Sequence, residues 1–292
     1  MTKPVFNISG ADITAETSSQ ATLLMEVNES AFSYVIVDEN KKLLTAAYFV
    51  LNHTEGRNLA DNIRDIVDTQ EVLQLDFKES VVVYNFSEST LVPGGFYNHE
   101  ANRELVELLF GNLKKGLVLT EKDDQSNLHT LYRVPAAVHS LLQQKFSAGK
   151  YWHIYTLWLS LLQKTEHEEM QSIYTVFAAD KVLTAIYRNR SLQLIQSFAY
   201  TTPEDVVYHL LHCCEQLGLS QDDCLLHISG YIDEDSALFT EIKKYFLRLE
   251  FDKFEGAHDV QEPMQEELTE NSAPSEYPAH YFSYLQKLAL CV

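Results

Sequence analysis

Basic side chains are scarce in this sequence. Its 292 residues hold 22 Lys and Arg against 42 Asp and Glu, so the formal charge is 22 − 42 = −20. Binding to a nucleic-acid backbone needs a basic face, and a charge of this sign repels polyanions. The same sign disfavours docking on anionic lipid. Cysteine is scarce as well: Cys213, Cys214, Cys224 and Cys291, two of them adjacent and none in a CxxC pair. Adjacent cysteines in a helical pattern do not easily bond to each other, so no disulfide framework is expected. A reducing cytoplasm is the expected compartment, and triplets such as Asn28-Glu29-Ser30 then carry no glycosylation meaning. Long apolar runs are missing. Tyr151 to Leu162 comes nearest, but His153, Thr156 and Ser160 interrupt it, and a membrane-spanning helix needs about 20 apolar residues. The first twenty residues lack the apolar stretch of a secretory signal.

Catalytic signatures are absent too. There is no GxSxG elbow, no GxxxxGK[ST] phosphate loop and no GxGxxG after a strand. Pro93-Gly94-Gly95 lacks the lysine of a phosphate loop and reads as a hairpin or loop tip. Glu166-His167-Glu168-Glu169 is not the HExxH order that sets two metal ligands one turn apart. His209, His212 and Cys213 share part of one helical face, but a metal would want a fourth ligand that no nearby motif supplies. They read as a partly buried helix face.

What the chain does contain is a pattern that occurs twice. From Leu23 to Val50, alternating and β-branched runs are cut at Val27-Asn28-Glu29-Ser30 and at Asp38 to Lys42. Three strands in a meander are the economical reading. Leu59 to Leu73 follows with helical spacing at Leu59, Ile63, Ile66 and Val67. Val81 to Phe86 suits a buried central strand. Asn98 to Phe110 reads as a second helix with Leu105, Leu108 and Leu109 on its apolar face and Gly111 as its stop. The same order returns from Ile173 to Tyr200, with breaks at Ala179-Asp180-Lys181 and Arg188-Asn189-Arg190. Thr202 or Thr201 caps the next helix, Pro203 opens its first turn, and Glu204 and Asp205 sit near its positive end. That helix runs to Leu217 and stops at Gly218. Cys224 to Ser229 is the next buried strand, and Asp235 to Leu247 the next amphipathic helix.

Each half is thus β-β-β-α-β-α, repeated in order and turn spacing without residue identity. Leu128 to Phe146, with Pro135 at a helix start, and Trp152 to Gln163 read as two further helical stretches. Trp152 to Tyr155 and Leu249 to Phe254 are candidates for the last strand of each half. Glu255 to Glu276 carries seven acidic residues, no Lys or Arg and two prolines, the composition of a loop or linker. It alone accounts for −7 of the −20 charge. Tyr277 to Leu290 reads as a closing helix. Tyr151, Trp152, Tyr155 and Trp158 read as core or interdomain packing, with a groove for a partner peptide as the alternative.

Three meandering strands followed by αβαβ crossovers make a mixed α/β sheet flanked by helices, the RNase H-like plan. Two such halves make the architecture shared by actin, sugar kinases and heat-shock ATPases, with a cleft between halves. The expected division is an N-terminal arm over residues 1–16, a first RNase H-like domain over 17–165, and a second over 166–292. The second includes the acidic loop 255–276 and the C-terminal helix.

Several short pieces sharpen this. They are the opening meander LLMEVNESAFSYVIVD, Ser89-Thr90-Leu91-Val92-Pro93, Tyr132-Arg133-Val134-Pro135, Phe198 to Asp205 with Tyr208, and Ile228-Ser229-Gly230. In these, over Thr17 to Leu290, the chain resembles a bacterial family of uncharacterised proteins, a domain of unknown function with an actin-like ATPase fold. A remoter similarity is to the cytoplasmic actin-like proteins that assemble type IV pili and type II secretion platforms. The resemblance implies the fold; it brings no established activity.

Active members of that superfamily cradle phosphates in two hairpin turns, each typically an Asp followed by Gly and a small hydroxyl residue. Glycine lets backbone N–H groups reach the phosphates, and Asp holds Mg²⁺. Here the first turn, Asn28-Glu29-Ser30, has no glycine. The second, Asp180-Lys181, has none either. Where a Gly-Gly pair would face adenosine, the chain has Gly230 followed by Tyr231. The expectation is a non-catalytic scaffold or adaptor with no cofactor, which binds a protein partner or itself through the cleft or a sheet edge. The alternative is a degenerate nucleotide-binding protein or ATPase that holds Mg-ATP at Asn28, Glu29, Ser30, Asp180, Lys181 and Gly230.

Overall fold

A computed structural model describes residues 3–9, 13–51, 57–112, 116–165, 169–252, 278 and 280–292. The segment expected to be an acidic loop, 255–276, lies outside the described residues. The chain divides into two compact units, Met1–Lys164 with Leu288–Val292, and Thr165–Lys287.

In the first unit the expected meander is β2 (Thr22–Val27), β3 (Ala31–Val37) and β4 (Leu43–Val50). Every residue of β2 and β3 is buried, which is why their runs are continuously apolar. A short N-terminal strand, β1 (Phe6–Ser9), pairs antiparallel with β4. After the one-turn helix α1 (Ala15–Ser18) and the meander comes α2 (Leu59–Thr69). Asn58 and Asp61 form a capping box at its start, so two N–H groups that would lack helical partners are satisfied. Strands β5 (Glu79–Tyr84) and β9 (Lys150–His153) add in parallel, giving the order β1-β4-β3-β2-β5-β9. Ile63, Ile66 and Val67 of α2 and Val138, Leu141 and Leu142 of α4 (Ala136–Lys145) pack with Leu23, Met25, Val27, Phe32 and Phe49. The helix α5 (Ile154–Lys164) follows β9 and buries Tyr155 and Trp158, so those rings belong to packing.

The second unit repeats this in register. β10 (Gln171–Phe177), β11 (Lys181–Arg188), β12 (Ser191–Ala199), β13 (Leu225–Gly230) and β14 (Arg248–Phe251) order as β12-β11-β10-β13-β14. Val27 pairs with Phe32 and Tyr84; Phe177 pairs with Val182 and Gly230. Both meanders even share a bulge, between Ile36 and Val37 in one and between Ile186 and Tyr187 in the other. Counted from Phe32 and from Val182, these are the same ladder positions. The helix α6 (Pro203–Leu217) has the expected start, with Thr202 and Asp205 in a capping box, and ends on Gly218 at φ 62°. Beside it packs α7 (Ala237–Ile242), shorter than the expected 235–247. The closing helix is α8 (His280–Leu288).

The halves differ by an insertion, and here three expectations are corrected. Leu128 to Phe146 is not helical throughout: β8 (Leu128–Val134) precedes α4. β8 is the middle strand between β6 (Ser89–Pro93) and β7 (Leu117–Asp123) in a separate three-stranded sheet. The helix read over 98–110 is α3 (Asn102–Phe110), and it packs on this small sheet through Val106 against Val92 and Leu131. The repeat's second helix is therefore α4, which lies beside α2 as α7 lies beside α6. Of the apolar face expected for α3, Leu105 packs on this sheet, but Leu108 and Leu109 are 81% and 52% exposed. Pairing to a strand distant in sequence decided these assignments, and helical spacing carries no record of it.

Candidate functional site

The two turns and the end of β13 are the places where an actin-like chain would meet a nucleotide. In the first turn, Asn28 is 3% exposed. Its Oδ1 accepts from Ser30 N (2.9 Å), Ala31 N (2.7 Å) and Ser30 Oγ (3.2 Å). Asparagine suits this because its short carbonyl reaches backbone N–H groups two and three residues on. The N–H groups of the turn thus converge on a point that the chain's own oxygen fills. Glu29 Oε1 accepts from Ser87 N at 2.7 Å, which ties the turn to the loop after β5. Beneath it, the buried Glu26 accepts from Asn85 Nδ2 (2.6 Å) and Ser33 Oγ (3.5 Å). Replacing Asn28 with Ala strands buried donors, so Asn28→Ala is expected to cost about 2 kcal/mol in urea unfolding. No loss would show that water satisfies the turn.

In the second unit, Ala178 N donates to Lys181 O at 2.9 Å to close the hairpin. Asp180 is exposed, whereas Lys181 is buried. The hairpin is pinned by Tyr200, whose N–H donates to Asp180 O (3.0 Å) and whose hydroxyl donates to Ala178 O (2.7 Å). Gly230 lies at the same end of the sheet, paired with Phe177. Its φ is +86°, and a Cβ there would sit 2.3 Å from Phe177 O. That glycine is required by the approach of β10. The next residue, Tyr231, packs edge-on against Tyr281 and Phe282 of α8. Ser229 Oγ lies 3.0 Å from Ser283 Oγ. The structure thus brings Asp180, Lys181 and Gly230 to one end of one sheet, and Asn28, Glu29 and Ser30 into one turn of the other unit.

Sequence reasoning missed a buried polar cluster in the first unit. Glu121 of β7 accepts from His153 N through both oxygens, at 2.8 and 3.1 Å, and from the hydroxyl of Tyr132 on β8. His153 directly precedes α5, so the carboxylate sits at that helix's positive end. The rings of Tyr132 and His153 lie 4.7 Å apart. Thr156 Oγ1 and Thr130 Oγ1 lie 2.7 Å apart, and the Thr156 side chain hydrogen-bonds Glu121. Burial raises the Glu121 carboxyl from 4.5 to about 7, against the donors that lower it. Nearby, Tyr84 OH and His139 Nδ1 are 2.7 Å apart, and burial lowers the His139 pKa. These residues span 84 to 156 with no shared spacing; β7–β8 pairing places Glu121 near Thr130 and Tyr132, and β5–β9 pairing sets Tyr84 opposite His153.

Among the described residues no group of three or more His, Cys, Asp or Glu is placed to hold a metal. His209 stacks on Phe198 at 4.7 Å and His212 on Tyr208 at 5.9 Å. Cys213 is buried, which raises its thiol pKa. All four cysteines are free. No described helix is long and apolar enough to cross a membrane.

Two of the pieces that carried the resemblance pair in the small sheet of the first unit. Ser89–Pro93 is β6, and it pairs with Tyr132 and its neighbours on β8, Ser89 opposite Tyr132. Arg133 joins them. Its Nε meets Glu88 at 3.1 Å, and its guanidinium donates to Gly111 O at 2.7 Å, at the C-terminal end of α3.

Comparison with solved structures gives the same fold. A Bacteroides thetaiotaomicron protein with actin-like ATPase fold and unknown function matches at TM-score 0.71 and 18% identity, over 83% of this chain and 94% of that one. The PilM-PilN type IV pilus biogenesis complex matches at TM-score 0.58 and 13% identity, over 92% and 97%. No curated protein matches the chain. The fold is actin-like, built on mixed α/β sheets. The family described as "Protein of unknown function (DUF3822)" matches residues 11–249, and the chain belongs to that family.

Proposed function

We propose that this protein is a non-catalytic actin-like scaffold that works by binding a protein partner in the cytoplasm. One observation carries the reading. Two N–H groups of the first hairpin turn, those of Ser30 and Ala31, where an active relative would face phosphate, are bonded to Asn28 Oδ1. A triphosphate would have to displace a buried side chain and then meet Glu29, at a cost in both desolvation and repulsion. The residues present do not fit the nucleotide. Gly230 adds nothing for it, because the fold needs that glycine and Tyr231 follows it. The solved neighbour that is itself a two-protein assembly supports the partner half of the reading.

Thermal shift with Mg-ATP tests it. A ligand present at a hundredfold over its Kd adds about 2.7 kcal/mol to stability. The expected melting curve is unchanged at millimolar Mg-ATP. A clear upward shift, or release of phosphate, would overturn the scaffold reading in favour of a degenerate nucleotide-binding protein or ATPase.

A further inference from the structure

We draw no further inference here: the strongest candidate, the outward face of α3 on the small sheet of the first unit, where Leu108 and Leu109 are exposed, carries nothing because no described residue shows what covers it.

Discussion

Between pH 5 and pH 8 the wild-type protein is expected to lose stability that Glu121→Gln keeps. The folded carboxyl titrates at about 7, above its ordinary 4.5. The folded chain therefore holds this proton more tightly than the unfolded chain does. The stabilisation is complete below about 4.5, is lost as pH rises through that interval, and levels off above about 7. At about 1.36 kcal/mol per pH unit, the interval from 4.5 to about 7 is worth ~3 kcal/mol. Glutamine mimics the protonated acid and still accepts from His153 N. The variant should match wild type near pH 5 and exceed it at pH 8. His139 and His280, both lowered by burial, act with the opposite sign. The difference between the two melting curves isolates Glu121 from them. Curves that stay parallel across the range would refute the account.

Gly230→Ala is the second large effect. The backbone there is at φ +86°, where a side chain is strained, and the new Cβ would lie 2.3 Å from Phe177 O and 2.8 Å from Phe177 N. Those atoms belong to the neighbouring strand, so relief requires β10 and β13 to part, and every ladder bond between them suffers. A loss of about 3 kcal/mol or more is expected in urea unfolding followed by circular dichroism. A loss below ~1 kcal/mol would mean that the glycine is not needed for packing. Its place after a buried strand would then call for another explanation.

These two residues mark how far sequence reasoning reached. The meanders, the Thr202 cap, the stop at Gly218 and the parallel strands β5 and β13 are local. Each is signalled by residues within a few positions, through alternation, capping oxygens or a left-handed glycine. The inserted sheet gave no such signal. Its strands β6, β7 and β8 begin at 89, 117 and 128, and a helix intervenes. Leu128–Val134 reads in the sequence as part of a helical stretch, because apolar residues over so short a segment do not distinguish strand from helix. α3 misled for a related reason, since three leucines at helical spacing mark a face without saying which side is covered.

The sequence by itself determined the duplicated order, the actin-like class, the acidic character and the missing turn glycines. Each is written in composition or in spacing over a few residues. Only the tertiary structure decided that Asn28 spends its carbonyl on its own turn, that Gly230 answers to Phe177, and that β1 covers one meander edge. Glu121 belongs with these. It is an ordinary glutamate in the sequence, and its chemistry arises from desolvation beside His153 and Tyr132. Desolvation and close approach are set by atoms far apart along the chain, so no local pattern records them.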